Sequence, residues 1–340
     1  MRQRADDRLD WIEVVRPHLG AELVSAPGLE TARTLTRQLP GDAVAALEAR
    51  LAPGVDVLDL SLRITRPRQA REVAERLPAG PLRAFLLDWA EAGDASPVSS
   101  VWLELDADRM AGGGPPEPVI CAGLRGRTEP GWITDHLLPS LRGSALSPRQ
   151  KEIVEACRAA IPDPARLLYA FSLLPRGAGE VRLEILGLDA PGIAGYLSRV
   201  APEALGAIEE ILPLFAGVER LHLSLDIGER ISSRMGIEGS FRRLPKDEVG
   251  WRRLFDRLVE RGLCAPEKRD AALAWPGHDS FRTAPERWPA GADRAGLLCV
   301  RSLSHVKVVA GPGRMPEAKV YLLITPFRKE ASRSASPGES

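Results

Sequence analysis

Paired segments of alternating apolar and polar residues, separated by paired helical segments, recur along this chain and leave few folds open to it. SVWLELD at 100–106 and VICAGLRG at 119–126 form one pair, ARLLYAFSLL at 165–174 and VRLEILGL at 181–188 a second, and VERLHLSLDI at 218–227 and RMGIEGSF at 234–241 a third. LLCVRSLSHVKVV and AKVYLLIT, joined by AGPGRMPE, make the last. A two-residue period places side chains alternately on two faces, the mark of a half-buried strand. Two helical stretches follow each of the first three pairs: 131–141 with 148–160, 191–199 with 202–215, and 248–261 with 265–274. Ser147 before Pro148 makes a good helix start, because its hydroxyl can accept from an orphan amide of the first turn. One further strand, VDVLDLSLRIT at 55–65, precedes helices at 68–77 and 81–92.

Residues 1–52 read as helical. Leu9, Ile12 and Val15 keep helical spacing as far as Pro17, and a second helix is expected over 30–51 with a break near Pro40-Gly41. Residues 1–327 are expected to form a single α/β repeat domain, and the polar tail 328–340 to be disordered. The fold class is α+β: repeated strand–strand–helix–helix units, with a mainly antiparallel sheet closed or curled into a barrel and helices outside.

Composition excludes several function classes. The 46 basic and 46 acidic residues cancel, so the positive field used to bind nucleic acid is not expected. Cys121, Cys157, Cys264 and Cys299 are scattered, with no zinc-ligand spacing. No apolar run approaches the ~20 residues of a membrane span, and the start lacks a signal-peptide core. A cytoplasmic protein without a membrane partner or cofactor is expected.

Each strand segment has a polar face opposite its apolar one. These faces carry Asp59, Ser61 and Arg63; Glu104 and Asp106; Arg182 and Glu184; His222, Ser224 and Asp226; Glu238; Arg301, His305 and Lys307; and Lys319 and Tyr321. In an open sheet they would meet water; in a closed one they would line a lumen. In a lumen, Arg63, Arg182, Arg220, Arg301, Lys307 and Lys319 would converge on an anion. On an open face, Glu104, Glu184, Asp226 and Glu238 would pair with them across strands. Trp102 shares the parity of Glu104 and could stack on an aromatic ligand. His222, Asp226 and His305, with Glu184 or Glu238, offer metal-ligand chemistry without diagnostic spacing. No metal is expected, and His305 reads as an acid–base group with an ordinary pKa near neutrality. Trp275 and Trp288 precede the last hairpin and either anchor their loop or form a lid. Gly112-Gly113-Gly114 lacks the pattern of a phosphate loop, and no nucleophile elbow or aspartate-rich magnesium motif occurs.

The repeated order of elements over 55–327 resembles the antiparallel barrel of soluble aromatic prenyltransferases, including the dimethylallyltryptophan-synthase group, known as the ABBA fold. SHVKVVAGPGRMPEAKVYLLITPF resembles their closing hairpin, with Lys-x-Tyr at Lys319 and Tyr321. The resemblance implies helices outside the barrel and inward basic and tyrosine side chains holding an allylic diphosphate. It also implies that Glu104 takes a proton from an aromatic acceptor. The implied activity is a metal-independent prenyl transfer in natural-product or peptide biosynthesis, on a small-molecule or peptide substrate. Glu104 and His305 are the catalytic candidates. Trp102, Arg63, Arg182, Glu184, His222, Asp226, Glu238, Arg301, Lys307, Lys319 and Tyr321 are the binding candidates. Where the family repeats Lys-x-Tyr, this chain has Arg182-Leu183-Glu184 and Gly236-Ile237-Glu238, and its three tyrosines cannot build a tyrosine shield. That departure suits an alternative, a non-catalytic barrel that binds a peptide or small molecule as a biosynthetic partner.

Overall fold

A computed structural model describes residues 11–36, 43–107, 117–176, 179–282, 285, 288 and 297–328. Among these residues the strands are β1 (Val44–Arg50), β2 (Leu58–Ile64), β3 (Val98–Leu105), β4 (Val119–Leu124), β5 (Arg166–Ser172), β6 (Val181–Leu186), β7 (Arg220–Ile227), β8 (Met235–Ser240), β9 (Gly277–Ser280), β10 (Leu297–Gly311) and β11 (Arg314–Arg328). Strands β1 to β8 pair in sequence order, β8 pairs with β10, β10 with β11, and β11 with β1. All these pairings are antiparallel, so ten strands close a barrel and the short β9 extends the outer half of β10. Closure removes the unpaired edges that an open sheet would expose.

The helices supply the outer layer. They are α1 (Trp11–Val15), α2 (Ala26–Thr36), α3 (Pro67–Ala74), α4 (Pro81–Ala92), α5 (Leu138–Arg142), α6 (Pro148–Ala159), α7 (Ala190–Val200), α8 (Pro202–Ile211), α9 (Gly250–Glu260) and α10 (Pro266–Ala274). Ser147 caps α6 by accepting from Gln150 N at 3.1 Å. The apolar parity of each strand meets these helices: Leu221, Leu223 and Leu225 of β7 are buried with Ile208 and Ile211 of α8. A second outer cluster joins Val101, Leu103 and Ile120 to α3, α4 and α6. The hydrophobic core is therefore a shell around the barrel, and His222, Ser224 and Asp226 are left for the lumen. Among the described residues no helix is long and apolar enough to cross a membrane.

Two corrections to the sequence reading follow. The expected helix over 30–51 is in fact α2 followed by β1, and its expected break lies outside the described residues. AVAALEAR is built from good helix formers, but β1 fills the gap between β2 and β11, and closure overrides local preference. The second correction is Arg301. The β10–β11 register shifts between Leu303 and Val306, a bulge that reverses the parity of everything beyond it. Arg301 therefore shares the outer face with Cys299 and Leu303, while His305 and Lys307 turn inward. The Gly112–Gly114 segment, Asp6-Asp7 and all of the tail after Arg328 lie outside the described residues.

Candidate functional site

Two adjoining cavities occupy the lumen, and Glu104, Lys307 and Tyr321 line both. The larger, about 420 Å³, carries seven carboxylates (Glu48, Asp59, Glu104, Asp106, Glu180, Asp226 and Glu317) and six cations (Arg50, Arg176, Arg182, Arg234, Lys307 and Lys319). The smaller, about 130 Å³, is lined by Trp102, Cys121, Tyr169, Phe171, Glu184, His222, Glu238, His305 and Tyr321, among others. Gly236 of β8 makes room for one shared residue: a Cβ there would lie 2.7 Å from Lys307 Cε.

The cations of the larger cavity already have partners. Arg182 donates to both oxygens of Asp226, at 2.5 and 2.9 Å. Arg50 lies 2.6 Å from Glu48, 2.8 Å from Asp59 and 2.7 Å from Glu317. Arg176 holds Asp106 at 2.8 Å and approaches Glu104 at 3.4 Å. Lys307 lies 2.7 Å from Glu238, and Lys319 lies 2.8 Å from Glu48. Burial opposes the charge on Glu48, but Lys319 and Arg50 win and hold its carboxyl well below the usual range. Asp226 is likewise lowered by Arg182 against the effect of burial. Glu104 goes the other way: burial raises its pKa, and Arg176 and Arg182 only partly offset that. A carboxylate whose charge is disfavoured by burial is a stronger proton acceptor than an exposed one, which suits Glu104 to take up a proton.

Rings dominate the smaller cavity. His305 stacks on Tyr321 with centroids 3.9 Å apart. Tyr169 and Phe171 meet edge to face at 6.2 Å. Arg182 sits 5.7 Å from the Phe171 centroid, and Arg63 sits 5.5 Å from that of Trp102. Arg63 has no carboxylate ion-pair partner among the described residues, and its buried Nε makes no hydrogen bond. Burial pushes His305 down to about 4, so its imidazole is neutral at pH 7. His222 is pulled the other way: burial would lower its pKa, but its hydrogen bond to Glu184 and the nearby carboxylates raise it.

Of the residues expected from the sequence, Glu104, Arg182, Asp226, Lys307, Lys319 and Tyr321 line the larger cavity, and Trp102, Glu184, His222, Glu238 and His305 line the smaller. Arg63 faces inward against Trp102 without lining either cavity. Arg301 does not join them: it lies outside the barrel, 2.9 Å from Asp279 and bonded to the Trp275 carbonyl. Arg220 is exposed where β7 begins. Trp275 is fully buried and Trp288 packs edge to face on Trp11, so both belong to the core and neither is a lid.

Sequence reasoning missed Glu48 and Arg50 because β1 read as helix. It missed Arg176 because that residue sits in the short turn after β5. Glu317 was within reach, since the two-residue step from Tyr321 through Lys319 arrives at it.

No protein-family profile matches the chain, and no curated protein sequence does. Solved structures do match in fold. The 5-dimethylallyltryptophan synthase of Streptomyces coelicolor superposes with a TM-score of 0.51 at 13% identity, covering 92% of this chain and 95% of that one. The fold is that of the aromatic prenyltransferases. The ABBA barrel expected from the order of elements is thus present from β1 to β11. The prenyltransferase PriB, solved with L-tryptophan and dimethylallyl thiolodiphosphate, gives a TM-score of 0.52 at 12% identity, over 92% of this chain and 94% of that one. The Streptomyces coelicolor enzyme in complex with DMASPP and Trp also gives 0.52, at 11% identity, over 97% and 96%.

Proposed function

We propose that this barrel transfers an allylic group from a diphosphate to an aromatic acceptor without a metal at the diphosphate. The observation that carries this reading is the junction of a densely charged cavity, with six cations among its lining side chains, and a ring-lined one, with Glu104 on both. The diphosphate would lie against Arg176, Arg182, Lys307 and Lys319, where charge-assisted hydrogen bonds favour a polyanion. The allyl C–O bond breaks, and the diphosphate leaves with the electron pair. The new bond forms from the acceptor ring, whose displaced proton passes to ionised Glu104. Trp102, Tyr169 and Tyr321 would flank the ring and the cation, whose charge their π-faces stabilise.

A second reading is a ligand-binding barrel without catalysis. It is favoured by the carboxylate partners of Arg50, Arg176, Arg182, Lys307 and Lys319, which a diphosphate would have to displace. The two readings separate experimentally. Calorimetry with dimethylallyl thiolodiphosphate reads donor binding, and mass spectrometry after incubation with dimethylallyl diphosphate and indole- or phenol-bearing acceptors reads transfer. A prenylated product lost in Glu104→Gln supports the enzyme. Donor binding with no product across the acceptors supports the second reading, and no donor binding removes the diphosphate role.

A further inference from the structure

Four neighbouring strands, β6, β7, β8 and β10, each bring one metal-ligand side chain to the same wall of the lumen. His222 lies directly opposite Glu238 in the β7–β8 register, Glu184 sits one step along on β6, and the β10 bulge turns His305 inward. His222 Nδ1 is 2.6 Å from Glu184 Oε1 and 3.7 Å from Glu238 Oε2, and His305 Nε2 is 3.4 Å from the same Glu238 oxygen. Suitable ligand atoms of Glu184, His222 and Glu238 all fall within 4.8 Å of one another. Neighbouring ligands of a tetrahedral ion with bonds of about 2.1 Å stand about 3.4 Å apart. Two of the three distances are already close to that edge, and the third is a hydrogen bond that an ion would replace.

From this geometry we propose that Glu184, His222 and Glu238 form a binding site for a borderline divalent cation such as zinc, with His305, which reaches only the Glu238 oxygen of this group, moving in as a fourth ligand when the ion binds. This goes beyond the prenyl-transfer reading and does not depend on it.

The surroundings orient these ligands as metal sites require. The Ser304 hydroxyl contacts His305 Nδ1 at 2.9 Å, which leaves Nε2 directed at Glu238. Stacking on Tyr321 fixes the same ring. Lys307 holds the other oxygen of Glu238 at 2.7 Å, so Oε2 is the one offered to an ion. Two imidazoles with two carboxylates are ligands that zinc and its neighbours accept. Glu184 and Glu238 are both buried, and a divalent ion would neutralise their mutual repulsion as well as bind them. Asp226 is not part of the set, because Arg182 takes both of its oxygens.

The test uses the full chain stripped of metal and titrated with Co²⁺, then Zn²⁺ in competition. The wild type should develop the intense visible absorption of tetrahedral cobalt, and zinc should displace it and raise Tm. His222→Ala and Glu184→Gln should each weaken cobalt binding by at least the roughly 10–100-fold that loss of an outer-shell partner costs. Asp226→Asn should bind as the wild type does. Circular dichroism of the apo proteins establishes folding, and Glu184→Gln, which keeps the side-chain shape, serves if His222→Ala does not fold. Absence of the tetrahedral spectrum in the wild type, or equal affinity in the folded variants, would overturn the site.

Discussion

Lys319 Nζ lies 2.8 Å from Glu48 Oε1, across the seam where the last strand of the barrel meets the first. The contact joins a residue found by its Lys-x-Tyr pattern to one hidden in a helix-like segment. It also changes what Lys319 is free to do. A cation already held by a buried carboxylate reaches an anionic ligand only by exchange.

Lys319→Ala is therefore expected to cost stability as well as affinity. Glu48 keeps Arg50 at 2.6 Å, so the charge is not abandoned, and the loss should be about 1–3 kcal/mol. Urea unfolding measures it. The double variant Glu48→Gln/Lys319→Met should lose less than the sum of its singles, by about 0.5 kcal/mol or more, since the two side chains touch. Strict additivity would mean the seam contact contributes nothing.

Acid should loosen the barrel, and the sign follows from the carboxyls. Glu48 and Asp226 titrate below their ordinary values of 4.5 and 3.8 in the folded protein. Their stabilisation is fully present above those values and is lost as pH falls through the lower folded ones. Glu104 and Asp59 are raised and act oppositely above their ordinary values, which flattens the wild-type profile. Glu48→Gln and Asp226→Asn should each lessen the stability lost on acidification, read as the difference between variant and wild-type urea midpoints at each pH. A variant whose midpoint falls with acid as steeply as the wild type's would contradict the assignment.

The shell-like core makes opposite demands on adjacent residues. Leu223 is fully buried under the helices, so Leu223→Ala should cost about 2–5 kcal/mol. Ser224 faces the lumen with only a 3.4 Å contact from Lys307, and Ser224→Ala should cost no more than about 1 kcal/mol. Thermal melts of the two variants compare the faces directly, and equal losses would contradict the outward core.

The barrel was legible because alternation is a strong signal wherever one face is apolar, as in RLHLSLDI of β7. It failed at β1, where Ala45, Ala46 and Ala49 provide little contrast between faces and every residue but Val44 favours helix. It failed again at Arg301, because a bulge leaves no mark in SLSH that a two-residue count could detect. Arg182, Lys307 and Lys319 were visible singly, but their neutralisation was not, since three of the four members of the Glu48–Arg50–Lys319–Glu317 network come from the misread strand and from a residue beside the turn. Pairing across a closing seam is a property of the closed sheet and has no local trace.

Glu104 carries the most consequential prediction. It lines both cavities, and burial raises its pKa. A base must be ionised to accept the ring proton, so transfer should rise with pH through that raised value and level off above it. Glu104→Gln keeps the shape and the contact with Arg176 but cannot accept the proton. It should reduce product formation by about 10²–10⁴-fold, while donor binding, read by calorimetry, stays within a few-fold. If the variant loses donor binding to the same extent, Glu104 acts by holding the cations in place. If it transfers at the wild-type rate, another group takes the proton, and the junction of the two cavities is a passage without chemistry of its own.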